Sequence, residues 1–306
     1  MLAALFVVCW SSGFIGAKLG AEKAAVPTVL MWRFVPLAVL LLSVALAQVA
    51  RGARAPSRED MGRHAVIGLL SQSTYLLTVY GAIGLGVSAG TTALVDGIQP
   101  LVAAALIGPL LGLVVTGSQW AGLALGLAGV VLVSWTDAAS PATDAPGWAY
   151  LVPIIGMLGL TGSTFLERRA PVRTPPLQAL TIHCTVSAVL FTTIAVAAGA
   201  TTPPASREFW IATAWLIVLP TFGGYGLYWF LVERIGVTPV NSLMFLIAPV
   251  TSVWGAIMFG EPLTLVTVAG LTLALAGAVI AGRTPRPPRV QPPHAVEPGV
   301  TRQLVG

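Results

Sequence analysis

The sequence is poor in charge. Only 9% of its 306 residues are Asp, Glu, Lys or Arg, where soluble domains carry about 25%. With 56% hydrophobic residues and a mean hydropathy of +0.87, an ordinary globular domain is excluded and a multi-span membrane protein is implied. Lysine is scarcer still, at Lys18 and Lys23 alone, and arginine supplies the other cations. Cysteine is nearly missing: Cys9 and Cys184 fall in separate apolar stretches without CxxC spacing. That excludes a disulfide framework and a thiolate metal site, and both residues read as small packing groups. Walker A, HExxH and paired-carboxylate patterns are all missing, so ATP drive within this chain and enzymatic catalysis are not expected. No catalytic residue, cofactor or metal is assigned.

What is present is a series of ten apolar stretches, at about 2–20, 27–49, 62–82, 88–113, 117–136, 147–166, 176–199, 209–231, 238–259 and 262–282. Each approaches the ~20 residues that cross a bilayer core as a helix. Backbone groups in lipid must be satisfied internally, so helices are the default, and the alternation of a membrane β-barrel is missing. The first stretch lacks the basic start and small-residue cleavage site of a signal peptide. The Pro- and Arg-rich residues 283–306 read as a disordered tail.

The cations set an orientation. With Met1 in the cytoplasm, Arg51, Arg54, Arg58, Arg63, Arg168, Arg169, Arg173, Arg234 and the four tail arginines are cytoplasmic. Lys18, Lys23 and Arg207 face outward. Twelve against three is the positive-inside bias, placing both termini inside. The basic net charge therefore serves topology, and no nucleic-acid partner is expected. The lipid bilayer and a small-molecule solute are the expected partners, with a homodimer contact left open.

The chain also repeats itself. Pro100 and Pro249 are 149 positions apart; Gly112, Gly122 and Gly129 precede Gly260, Gly270 and Gly277 by 148; Gly86-Val87 precedes Gly236-Val237 by 150. The expected fold is all-α: ten transmembrane helices as two inverted five-helix repeats, 1–136 and 147–282. An odd number of spans per unit turns the second copy over, as in many secondary transporters, whose substrate site lies near mid-membrane between the halves.

Several motifs resemble the drug/metabolite transporter superfamily, within it the EamA-type ten-helix permeases. Trp10-Ser11-Ser12-Gly13-Phe14 with Lys18 is similar to that family's opening, and Arg33-Phe34 to its Arg-Phe pair. Pro249, Phe259-Gly260-Glu261-Pro262-Leu263-Thr264, Gly270 and Gly277 are similar to its second-half signature. The first half departs from it, with Gly112-Leu113 in place of Gly-Glu, and Asp96 lies outside the family pattern. The resemblance implies a central cavity and export of small metabolites or amino acids across a bacterial inner membrane, in some members by proton exchange. Efflux of amphipathic drugs is the alternative, with a non-transporting membrane scaffold protein behind it.

The residues expected to bind solute or couple transport are Asp96, Gln99, Asn241, Tyr75, Tyr225, Trp10, Ser12 and Arg33. An acid inside a span costs about 2.5–3.5 kcal/mol on insertion scales and marks a functional site by default. The competing reading of Asp96 is an ion pair with Arg33. Gln99 shares a helical face with Asp96. Arg33 reads as a snorkelling or structural cation, with an anionic solute group as the second option. Pro100 and Pro249 are expected at bends where gates flex. His183 is expected to stand alone in a packing role, and Glu261 to cap the helix it precedes.

Overall fold

A computed structural model of the chain describes residues 1–110, 116–141, 143–169, 174–235, 240 and 243–282. Asn241 and the tail at 283–306 lie outside the described residues, as do the side chains of Pro100 and Tyr225. All regular elements among the described residues are helical.

The helices are α1 (Leu2–Ala21), α2 (Val26–Ala50), α3 (Arg58–Gly68), α4 (Tyr75–Gly84), α5 (Ala89–Gly97), α6 (Gln99–Leu110) and α7 (Gly117–Ala138). After a short 3-10 turn at Gly147–Leu151 come α8 (Val152–Arg168), α9 (Pro176–Ala197), α10 (Arg207–Leu216), α11 (Gly226–Ile235), α12 (Ile247–Phe259) and α13 (Leu265–Gly282). A π-helical turn at Leu69–Thr74 joins α3 to α4, and another at Ile217–Tyr225 joins α10 to α11. Among the described residues, seven continuous helical stretches are long and apolar enough to cross a membrane; α12 and α13 are apolar but shorter.

The starts of these helices follow local chemistry. Ser57, Ser88, Thr116 and Ser206 each accept a backbone N–H from the residue three positions on, the N-cap arrangement that satisfies an orphan donor. Gln119 completes a capping box on Thr116.

The expected continuous span over 88–113 is broken. Helix α5 ends at Gly97, Ile98 forms a turn, and α6 starts at Gln99. Pro100 therefore occupies the first turn of a new helix, where its missing N–H leaves no gap. The ninth stretch behaves alike: Phe245 and Leu246 form a turn and α12 starts at Ile247, two residues before Pro249.

Packing joins the first half of the chain to the second. Helix α2 lies on α9, with Phe34 and Phe191 rings 5.4 Å apart. Helix α5 lies on α12, α4 on α8, and α1 against α10 and the second π turn. Helix α7 lies on α13 at backbone contact. A Cβ added to Gly122 would come within 2.5 Å of the Gly277 carbonyl, and one on Gly129 within 2.5 Å of the Gly270 carbonyl. The two small-residue stripes thus meet each other within one molecule, which sequence alone leaves open.

Candidate functional site

Asp96 sits in the last turn of α5, beside the break. Its Oδ2 accepts a hydrogen bond from the Tyr75 hydroxyl at 2.9 Å. Its Oδ1 is buried and has no hydrogen-bond partner. Tyr75 is the first residue of α4, directly after the π turn, and that turn sets where its phenol points. Among the described residues the ion pairs are Lys18–Glu261 and Arg63–Asp60, so Asp96 is not paired with Arg33. A buried carboxylate oxygen without a donor is costly, and a proton, a cation or a donor from a solute would relieve it.

Arg33 does not snorkel. It is 4% exposed, donates to the Tyr80 hydroxyl, and donates to Thr221 Oγ1 at 3.1 Å. Its Nε has no partner. Arg33 thus ties α2 to α4 and to the second π turn, with no carboxylate on it among the described residues.

The remaining expected residues spread over the bundle. Trp10 packs with Phe6 and Tyr228, at 5.6 and 6.1 Å between ring centres. Ser12 donates to the Cys9 carbonyl of its own helix at 2.6 Å, and its carbonyl accepts from Trp215 at 2.9 Å. Gln99 is half-buried in the first turn of α6, and Pro249 is half-buried in α12.

A second polar centre was not anticipated. At the N-terminus of α5, Glu261 Oε1 accepts from the Ala89 N–H at 2.7 Å and from Lys18 Nζ at 2.7 Å. Glu261 Oε2 accepts from the Gly90 N–H at 3.3 Å. Asp137, at the end of α7, accepts from the Ser88 N–H at 3.0 Å and from the Tyr150 hydroxyl at 3.2 Å. Two buried carboxylates, Asp137 from α7 and Glu261 from the connection between α12 and α13, thus hold the positive end of α5. Glu261 is a cap, but of α5 rather than of the helix that follows it. Gly260, with φ +66°, makes this possible: its left-handed backbone ends α12 and turns the chain so that Glu261 faces inward. The Lys18 and Glu261 motif residues carried some signal of this, but the role of Asp137 had none.

His183 is not alone. Its Nε2 lies 3.2 Å from Nδ1 of His64 on α3.

Two hollows lie near these groups. One, of about 10 Å³ and so with room for about one water, is lined by Ser88, Thr91, Asp137, Ser252 and Glu261. The other, also of about 10 Å³, lies where the two breaks face each other, between Gly97, Ile98, Phe245 and Pro249. Asp96 lines neither.

Comparison with known proteins gives three findings. The model of the EamA-like transporter family matches residues 1–135 and 147–283. A curated relative, described as a probable terminal-alkyne amino-acid exporter of Streptantibioticus cattleyicolor, is 25% identical over 288 residues, 91% of each chain. A solved structure described only as a crystal structure of a protein is similar in fold. Its TM-score is 0.59 at 22% identity, covering 92% of this chain and 94% of that one.

Proposed function

We propose that this chain, which belongs to the EamA-like transporter family, exports a small amino-acid-like metabolite by alternating access, in exchange for protons carried on Asp96. The observation that carries the reading is the Asp96 carboxylate at the break in the fourth span, with one oxygen held by Tyr75 and the other buried without a partner. Such a group takes up and releases a cation or proton as its surroundings alternate between wet and dry. The curated relative's description as an amino-acid exporter supports the solute class.

Alternating access rests on two inverted five-helix halves, 1–136 and 147–282, and several observations support them. The family model matches the chain in two blocks that fall on those halves. If span n of the first half corresponds to span n + 5, the packing pairs map onto one another. The second span packs on the seventh, the fourth on the ninth, the fifth on the tenth, and the third–sixth pair exchanges with the first–eighth pair. The π turns fall in the third and eighth spans and the breaks in the fourth and ninth. Asp96 corresponds to Phe245, so the acid stands where the repeat differs.

The arginine bias supports an orientation with both termini in the cytoplasm, in a bacterial inner membrane. The Glu261 centre is then at the outer end of the bundle, where it holds α5 against α1, α7 and α12 as the outer gate. The turns before Pro100 and Pro249 are where the broken helices flex. Arg33, with an unpartnered Nε and no acid on it, is the cation that meets the solute carboxylate.

Reconstitution into liposomes under an imposed pH gradient tests the reading, with L-propargylglycine as the labelled solute. Gradient-driven flux that vanishes in Asp96→Asn, with folding intact by thermal melting, is the expected result. Wild-type flux in that variant at every pH overturns it.

A further inference from the structure

The hollow at the start of α5 is lined on its polar side by Ser88, Thr91, Asp137, Ser252, Glu261 and Thr267. Each of these side chains offers oxygen and no nitrogen. Ser252, on α12, is 6% exposed, and its Oγ has no hydrogen-bond partner. A Cβ added to Gly90 would come within 2.5 Å of that Oγ, so the hydroxyl sits against the first turn of α5. Glu261 Oε2 reaches the same place, accepting from the Gly90 N–H at 3.3 Å. A Cβ added to Gly255 would overlap Oε2. Glycine at 90 and 255 therefore leaves the space in which a buried hydroxyl and a carboxylate converge.

We propose that this hollow is a binding site for one dehydrated alkali-metal cation, Na+ or K+, held by Asp137, Glu261 and the Ser252 hydroxyl. The start of a helix ordinarily attracts anions, but here its donors are already used. The Ser88 N–H goes to Asp137, those of Ala89 and Gly90 go to Glu261, and that of Thr91 goes to Ser88 Oγ. What remains facing the hollow is oxygen, the ligand of hard cations.

The charge balance decides between a cation and a water. Two carboxylates meet one amine, Lys18, and among the described residues Asp137 is in no ion pair. A trapped water would satisfy Ser252 but leave one buried negative charge uncompensated, which is costly. One monovalent cation satisfies both. The volume, about 10 Å³, holds one water-sized body, which leaves no room for Mg2+ and the waters it keeps. The ligands come from α7, α12 and the α12–α13 connection, around the start of α5. The consequence for transport rests on the reading of this centre as the outer gate: a cation entering from outside holds that gate shut. The site itself does not depend on Asp96, which does not line the hollow.

Melting of the full chain in lipid nanodiscs tests the site, in NaCl, KCl or N-methylglucamine chloride at one ionic strength. Binding of radiosodium and of radiorubidium, a tracer for K+, is measured in parallel. NaCl or KCl should raise the melting temperature saturably over N-methylglucamine chloride, as a ligand of the folded state does, with a single ion bound per chain. Ser252→Ala removes an unpartnered hydroxyl, so in N-methylglucamine chloride it should melt at or above the wild type. It should weaken ion affinity by about tenfold or more, the scale on which a cation site loses a supporting group. Asp137→Asn should abolish the response to the ion, and Asp96→Asn should keep it. Equal melting in all three salts with no ion bound, the behaviour of a trapped water, overturns the site. So does wild-type affinity in Ser252→Ala, or a response lost in Asp96→Asn. None of these results alters the gradient-driven flux that tests Asp96, so either reading can fail alone.

Discussion

Replacing Glu261 by Ala should release the N-terminus of α5. The wild-type carboxylate receives Lys18 Nζ at 2.7 Å and two backbone N–H groups of α5 at 2.7 and 3.3 Å. Its removal orphans both N–H groups and leaves Lys18 without its anion. Breaking a buried pair from one side costs about 3–5 kcal/mol. The Lys18 side chain keeps 21% of its exposure, so water offsets part of the loss and the lower end, about 3 kcal/mol, applies. If the contact exists only while the outer gate is shut, the open population rises about a hundredfold. Val133 lines the hollow beside this centre and is 2% exposed, so Val133→Cys reports on opening. Its reaction with a membrane-impermeant maleimide added outside should accelerate about a hundredfold in Glu261→Ala. Lys18→Met should accelerate it less, and adding Lys18→Met to Glu261→Ala should change little further, because the two residues act as one unit. A labelling rate within about twofold of the parent in a folded Glu261→Ala protein would refute the gate, since linkage ties the open population to the lost contact.

Further outcomes are expected. Gly129→Val brings methyl groups against the Gly270 carbonyl, already 2.5 Å from where a Cβ would sit; overpacking of this kind costs about 1–3 kcal/mol and should lower the melting temperature in detergent. Arg33→Lys cannot reach Tyr80 and Thr221 together with a planar fork. It should lower thermal stability by about 1.5–3 kcal/mol, the worth of one charged hydrogen bond, and weaken solute binding as read by ligand-induced stabilisation. Lys23 and Ala53 are both exposed, so in whole cells Lys23→Cys should react with an impermeant maleimide and Ala53→Cys should not; the reverse pattern would invert the topology.

Span positions were readable because hydropathy is local. The expected stretches 117–136 and 176–199 became α7 at Gly117–Ala138 and α9 at Pro176–Ala197. The split of 88–113 was half visible: Pro100 marked a disturbance, but the turn at Ile98 and the packing of α12 against α5 beside it were not legible. What sequence could not show were partnerships across the fold. Glu261 looked like a local cap because it precedes Pro262, yet the N–H groups it satisfies lie 172 and 171 positions away. His183 looked solitary because its partner, His64, is 119 positions away. Arg33 looked like a snorkelling cation until Tyr80 and Thr221 gave its guanidinium an interior destination.

The glycine-to-carbonyl fit of α7 and α13 leaves no slack, and that bears on how the chain tolerates substitution. At Gly122 and Gly277, and at Gly129 and Gly270, each backbone occupies the space a neighbour's side chain would need. Enlarging one member cannot be absorbed by its opposite, which has no side chain left to shrink. These four positions should therefore behave in a saturation library as a block with no compensating pairs, while the α2–α9 contact between Phe34 and Phe191 should yield many. The α7–α13 contact is then a strut about which the other helix pairs move, and transport variants should accumulate everywhere except along it.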